Sequence, residues 1–181
     1  MTHHKVPLLI DVLDAARGKI FLNVDTKFPR DLKAVADLIV SENMQDHILI
    51  KMSVDPEIPD EEILKSEGFK SMTFMPVMLN PRPGKMADDA VNIIKMYGSS
   101  MIEVSFTSLE ELSQTHERLA TMNVKIWCNT LDGVHPMDYY DSRGARNPDG
   151  VWGDLIRNGI SAIQTDHTPA LSAFLEGRLS A

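Results

Sequence analysis

The chain has 181 residues, of which 43% are hydrophobic and 24% charged, with 10 Gly and 10 Pro. This composition excludes a disordered or collagen-like chain. The length predicts one domain, 1–181, with a substantial core. A formal net charge of −8 makes nucleic acid a poor partner, and no apolar run is long enough for a membrane span. The single Cys128 cannot form an internal disulfide, which favours a reducing, cytoplasmic location.

Helix and strand patterns alternate regularly, beginning with a helix. Apolar residues at helical spacing predict helices over 7–17, 31–40, 59–67, 85–97, 108–122, 148–157 and 169–179. Short apolar, β-branched runs predict strands over 20–24, 47–52, 71–79, 101–106, 125–130 and 162–166. Parallel strands need crossover connections, so this alternation predicts a parallel α/β fold. Both a (β/α) barrel and an open doubly wound sheet fit, but no Gly-rich phosphate loop supports the dinucleotide-binding form.

Polar side chains cluster at the end of the first predicted strand. Strand periodicity puts Asn23, Asp25 and Lys27 on one face, opposite Leu22 and Val24. The carboxyl ends of strands hold the active sites of α/β barrels, which favours a functional site here. A structural ion pair between the carboxylate and the ammonium group is the alternative.

Three later strands add candidate binding residues. Lys51 lies inside the second apolar run, Glu103 in the fourth strand, and Trp127 and Asn129 share one face of the fifth. The alternatives are a surface lysine with a buried stem, a structural pair of Glu103 with a lysine, and a core tryptophan. In the polar loop 132–147, we interpret the charged residues as solvating side chains. They are Asp138, Asp141, Arg143 and Arg146.

Three segments resemble one known family. Asn23-Val24-Asp25-Thr26-Lys27, after a helix, is similar to the Asn-x-Glu-x-Lys strand of glycerophosphodiester phosphodiesterases, with Asp25 in place of Glu. Trp127-Cys128-Asn129-Thr130 resembles that family's Trp-containing seventh strand. Residues 159–166, followed by Pro169, resemble its closing segment G-[VI]-x-x-I-x-T-D-x-P.

The resemblance implies a TIM barrel that hydrolyses glycerophosphodiesters of lipid metabolism to glycerol 3-phosphate and an alcohol, with a bound Mg²⁺ or Ca²⁺. Carried over, Asp25 matches a metal-ligand carboxylate, Lys27 the catalytic lysine facing the phosphate, and Trp127 a pocket wall. Further candidate substrate-binding residues are Asn23, Lys51, Glu103 and Asn129. The implied ligand is therefore a small phosphodiester.

The chain also departs from the family pattern. It corresponds to strands 3–8 of the barrel, and the family's His-Arg, Glu-x-Asp and His-Asp segments have no counterpart in the sequence. One carboxylate does not hold Mg²⁺ or Ca²⁺ tightly, so we expect negligible metal-dependent hydrolysis by this chain. The alternatives are a non-catalytic phosphate-binding or assembly protein of the same barrel and an unrelated α/β phosphate-binding fold.

Six strands of a barrel leave two open sheet edges. Because an open parallel edge and an exposed apolar face favour association, we expect a homo-oligomer, or N-terminal residues that fold over the gap.

Overall fold

A computed structural model describes residues 5–65, 67–133 and 137–179. The described chain groups into two compact units. The first comprises residues within Met1–Ser53 and Pro59–Met75, and the second comprises Val54–Ile58 and residues within Pro76–Ala181. The assignment of 1–181 to a single domain stays a prediction.

The first unit is built around two parallel strands, β1 and β2. Leu22 pairs with Ile48 and Asp25 with Lys51. The apolar side chains of α1, α2 and β2 form its core, with Leu13, Leu32 and Ile50 fully buried. Its elements are α1 (Leu9–Ala16), β1 (Leu22–Asp25), α2 (Pro29–Ser41), a 3-10 turn (Gln45–His47), β2 (Ile48–Ser53), α3 (Glu61–Lys65) and α4 (Glu67–Lys70).

The second unit contains the remaining parallel strands. Strand β3 begins at the unit boundary, and its residues from Pro76 onward belong to this unit. Within the unit β3 pairs with β4, β4 with β5, and β5 with β6, so strand order follows chain order. Its elements are β3 (Thr73–Met78), α5 (Met86–Tyr97), β4 (Met101–Val104), α6 (Leu109–Ala120), β5 (Lys125–Asn129), α7 (Asp141–Gly144), a π-helical turn (Asp149–Gly153), α8 (Asp154–Arg157), β6 (Ile160–Gln164) and α9 (Thr168–Leu179).

These strands confirm the predicted fold class. Six parallel strands alternate with helices in the pattern of an incomplete α/β barrel. No helix in the described part of the chain is both long and apolar enough to cross a membrane.

Four regions differ from the prediction: α3 and α4 replace the helix predicted over 59–67, the loop predicted over 132–147 contains α7, and β6 and the helix predicted over 148–157 also differ. Strand β6 begins two residues early, at Ile160, because a bulge shifts the β5–β6 register between Ile126 and Trp127. The predicted helix 148–157 contains the π-helical turn, within which the consecutive side chains of Val151 and Trp152 are both fully buried. A regular helix turns successive side chains by about 100°, so a wider turn fits the burial of two neighbours.

Candidate functional site

The predicted polar residues of the first unit lie at the carboxyl ends of β1 and β2. Along β1, Asn23 and Asp25 are exposed while Leu22 and Val24 are half-buried, as strand alternation requires. Strand β2 is mostly buried, and its Lys51 pairs in register with Asp25. The short β1 therefore presents its polar face beside a lysine from the neighbouring strand.

Two lysines converge on one oxygen of Asp25. The Lys27 Nζ lies 2.6 Å from Asp25 Oδ2, and the Lys51 Nζ lies 3.8 Å from the same oxygen. The exposed fractions of these side chains differ sharply: 72% for Lys27, 37% for Asp25 and 4% for Lys51. We call these three residues the lysine cluster. Two ammonium groups and one carboxylate give it a net charge of +1.

The two lysines have different roles because one is buried and the other is exposed. A buried ammonium group needs compensating partners, and Asp25 supplies one of them for Lys51. The Lys27 pair is open to water, where such pairs contribute only about 0.2–1 kcal/mol. Lys27 can therefore leave Asp25 for another anion at small cost.

The second unit brings together the other three predicted residues. Glu103 in β4 pairs in register with Trp127 in β5. The Asn129 Nδ2 donates a hydrogen bond to Glu103 Oε1 at 2.9 Å, and the Trp127 Nε1 donates to Asn129 Oδ1 at 3.2 Å. Glu103 is 3% exposed, whereas Trp127 and Asn129 are half-buried. We call this chain of hydrogen bonds the Glu103 cluster.

Cys128 lies between these residues but is no nucleophile at neutral pH. Its side chain is fully buried, and its Sγ donates to the Asn129 carbonyl oxygen. Burial, with a smaller effect from the Glu103 charge, raises the pKa of Cys128 to about 12. The thiol therefore stays protonated, and no thiolate forms at this position to act as a nucleophile.

The donor set at Asp25 does not fit a divalent cation well. Mg²⁺ and Ca²⁺ take several oxygen ligands, whereas both described ion pairs of Asp25 are with ammonium groups that compete for its carboxylate. Across residues 5–65, 67–133 and 137–179, no group of three or more His, Cys, Asp and Glu side chains could hold a metal ion. The cluster fits an anion better, and the metal stays a prediction from the resemblance.

The family comparison concerns the second unit from Pro76 to residue 175 and the two residues of β3 that precede Pro76. Residues 74–175, more than half of the chain, match the model of DUF4996, a domain of unknown function. The chain belongs to the DUF4996 family. No curated protein matches the chain. The DUF4996 segment includes the Glu103 cluster, whereas the lysine cluster precedes it in the sequence.

The DUF4996 segment also contains a buried carboxylate, Asp141, that the sequence does not predict to be buried. Asp141, expected to be a solvated loop residue, is 1% exposed. Its Oδ1 accepts hydrogen bonds from Thr130 Oγ1 at 2.6 Å and Thr165 Oγ1 at 2.7 Å, and its Oδ2 accepts from the Asp166 backbone N–H at 2.7 Å. The expectation for Asp141 was wrong because three hydrogen-bond donors of the protein, and not water, satisfy its carboxylate.

Asp141 fixes the start of α7 against the carboxyl ends of β5 and β6. Its own backbone N–H donates to the Thr130 carbonyl oxygen at 2.6 Å, so side chain and main chain both hold the same strand end. The available signal was a threonine directly after each of two partly buried strands, Thr130 after β5 and Thr165 after β6. Each hydroxyl needed an acceptor, but one sequence does not reveal which carboxylate supplies it.

A second carboxylate orders the same loop from its exposed side. Asp132 accepts hydrogen bonds from both the backbone N–H and the hydroxyl of Ser142. These bonds, with smaller effects from the charges of His167 and Arg146, lower the pKa of Asp132. Asp132 and Asp141 together hold α7 in place beyond the end of β5.

Proposed function

We propose that this chain is a glycerophosphodiester phosphodiesterase-like protein that binds a small phosphate ester through Lys27 and Lys51, with negligible metal-dependent hydrolysis of its own. The observation that carries the proposal is the convergence of two lysine Nζ atoms on one oxygen of Asp25. The cluster has a net charge of +1, and lysine is a common phosphate ligand because it acts as a compact point charge.

The binding step follows from the exposure of each side chain. A phosphate oxygen takes the place of the Asp25 carboxylate at the exposed Lys27 ammonium group, at the cost of one weak surface pair. The buried Lys51 remains held by Asp25 and supplies a fixed second charge. Asn23, exposed two residues before Asp25, supplies an amide for a further hydrogen bond to the ester.

The Glu103 cluster supports a separate part of the proposal. The buried Glu103 carboxylate orients the Asn129 amide, and this amide accepts a hydrogen bond from the Trp127 indole N–H. Hydrogen-bonding groups therefore lie beside an aromatic ring. Such a combination suits hydroxyl groups on a short carbon chain. We assign polyol binding to Trp127 and Asn129, with Glu103 as the residue that orients the amide.

Calorimetric titration with sn-glycerol 3-phosphate and glycerophosphocholine, in the presence of EDTA, tests the phosphate site. We expect Lys27→Met to weaken binding about tenfold to a hundredfold, since hydrogen bonds to charged groups contribute about 1.5–3 kcal/mol. Lys33→Met is the matched control, because Lys33 is 76% exposed and ion-paired with Asp37 in the same unit. Equal affinity for the wild-type chain and the Lys27→Met chain would contradict the proposal.

Hydrolysis is the competing function, favoured by the resemblance of residues 23–27 to the family strand. We expect no release of choline from glycerophosphocholine above background with Mg²⁺ or Ca²⁺. A robust metal-dependent rate that Asp25→Ala abolishes would establish the enzyme instead and would return Asp25 to the role of metal ligand.

A cytoplasmic location without nucleic-acid partners completes the proposal. The one cysteine is buried and free, which suits a reducing compartment, and the net charge of −8 repels polyphosphates. Cell fractionation and a filter-binding assay with RNA and DNA test these two points.

A further inference from the structure

We propose that Asn158 is a site of irreversible deamidation, which the folded chain prevents and unfolding permits. Asn158-Gly159 is the only Asn-Gly pair in the sequence. Glycine has no side chain to hinder the approach of its backbone nitrogen to the preceding Asn side chain, so this asparagine is the most reactive one in the unfolded chain. The inference does not depend on the proposed function.

The reaction at Asn158 consumes only water. The Gly159 backbone nitrogen loses its proton to hydroxide and attacks the Asn158 Cγ. The bond from Cγ to Nδ2 then breaks, and the amide nitrogen takes up a proton from water and leaves as ammonia. Water adds to either carbonyl carbon of the resulting cyclic imide, which opens to aspartate or to isoaspartate. Both products carry a new negative charge, and isoaspartate also carries an additional methylene group in the main chain.

The turn between α8 and β6 needs a glycine directly after Asn158. Asn158 ends α8 with φ −95° and ψ 16°, and Gly159 follows with φ +97°, a left-handed value that favours glycine. The Gly159 backbone also packs closely against His116, because an added Cβ would lie 2.1 Å from the His116 Cγ. Gly159 is therefore not replaceable without strain, and the protection of Asn158 depends on the conformation of the turn.

The folded turn opposes the attack in three ways. At a ψ of 16°, the Gly159 nitrogen nearly eclipses the backbone nitrogen of Asn158 and lies away from Cβ, whereas the attack requires it on the side of Cβ. The Gly159 N–H donates to the Ile156 carbonyl oxygen at 3.1 Å, which retains the proton that the attack must remove. The Asn158 Nδ2 donates to the Asp154 carbonyl oxygen at 2.8 Å, which fixes the side chain against the helix end. The reaction therefore requires this turn to open.

The products of deamidation do not fit the same turn. An aspartate at position 158 has no amide to donate to the Asp154 carbonyl oxygen, and its charge lies beside the last carbonyl groups of the helix, which disfavour an anion. An isoaspartate lengthens the main chain just before Ile160, which is 4% exposed and pairs in register with Ile126. Deamidation therefore converts a reversible unfolding event into a lasting loss of refolding.

Peptide mapping by mass spectrometry tests the protection, with the full wild-type chain held at mildly alkaline pH in buffer and in concentrated guanidinium chloride. We expect Asn158 to deamidate at least about tenfold more slowly in buffer than in denaturant. Asn123 is the internal control, because it is exposed but precedes Val124, whose branched side chain hinders the attack. In denaturant, Asn158 should react at least about tenfold faster than Asn123. Equal rates at Asn158 in both solutions, or equal rates at the two asparagines in denaturant, would overturn the proposal.

Refolding by dilution tests the consequence. Wild-type chains aged in denaturant should recover less native circular dichroism than fresh chains, in proportion to the fraction of Asn158 that has been converted. Asn158→Gln is the matched control, because glutamine keeps an amide but forms a cyclic imide far more slowly. Its recovery after ageing should equal its own recovery before ageing. Full recovery by aged wild-type chains that carry the modified residue, or an equal loss in Asn158→Gln, would contradict the irreversible step.

Discussion

The buried Asp141 carboxylate gives the most quantitative test of the described geometry. Asp141 is 1% exposed, and its carboxylate accepts three hydrogen bonds, from Thr130 Oγ1, Thr165 Oγ1 and the Asp166 N–H. Asp141→Ala removes all three acceptor contacts. The Thr130 hydroxyl keeps an alternative acceptor, the Gln164 carbonyl oxygen at 3.2 Å, but the other two donors lose their partner.

The expected cost follows from those two orphaned donors. An unsatisfied donor costs about 1–3 kcal/mol when fully buried, and the Thr165 hydroxyl and the Asp166 N–H are partly buried. Asp141→Ala should therefore lower the free energy of unfolding by about 2–4 kcal/mol. Asp141→Asn keeps the Oδ1 acceptor but directs an amide donor at the Asp166 N–H, and we expect a loss of about 2–3 kcal/mol. Because Asn has nearly the size of Asp, Asp141→Asn measures the loss of an acceptor alone. The difference between the two variants then measures the remaining loss of packing and of hydrogen bonds.

Urea unfolding monitored by circular dichroism measures these differences through the midpoint at constant slope. Asp138→Ala is the control in the same loop, because Asp138 is 85% exposed and pairs with Arg143 only at 3.7 Å. We expect the control to change stability by less than about 0.5 kcal/mol. A loss below about 1 kcal/mol for Asp141→Ala, at unchanged slope, would refute the assignment of three hydrogen bonds to the buried Asp141 carboxylate.

Two further predictions concern stability. Burial raises the pKa of Cys128 from its ordinary value near 9 to about 12, so the stability gained from the neutral thiol is present below pH 9 and is lost as the pH rises towards 12. Between pH 8 and pH 10 the wild-type chain should therefore lose about 1 kcal/mol more than Cys128→Ala, and equal losses in urea titrations would contradict the burial of the thiol. At Gly159, where φ is +97°, an added Cβ would lie 2.1 Å from His116 Cγ. The added Cβ would also lie 2.5 Å from His116 Cβ. Gly159→Ala should therefore cost about 2–4 kcal/mol in urea unfolding, from this overlap and from the left-handed backbone, and a cost below about 1 kcal/mol would contradict the close approach.

The fold class was predictable because its causes are local and repeated. Apolar runs such as 47–52 and helical faces such as 31–40 alternate, and parallel pairing follows from the crossovers between strands. The start of β6 at Ile160 was not predictable, because it depends on a bulge in the register with β5. That bulge is a property of two strands together rather than of either sequence.

The parts of the candidate site that depend on strand periodicity were predictable, and the parts that depend on long-range hydrogen bonds were not. Strand periodicity and register place Asp25 beside Lys27 and Lys51, and they place Glu103 opposite Trp127. Asp141 was missed because its partners are 11 and 24 residues away in sequence, beyond the reach of any local pattern. Long-range hydrogen bonds of this kind depend on how the strand ends meet.

The central claim is that the lysine cluster binds an anion. The most direct test is the affinity of the Asp25→Asn chain for sn-glycerol 3-phosphate, measured by calorimetry in EDTA and again in Mg²⁺. Removing the competing carboxylate raises the charge of the cluster from +1 to +2, so the affinity should rise severalfold in both buffers. A fall in affinity that appears only with Mg²⁺ would contradict the claim, because it would show that Asp25 holds a metal ion on which ligand binding depends.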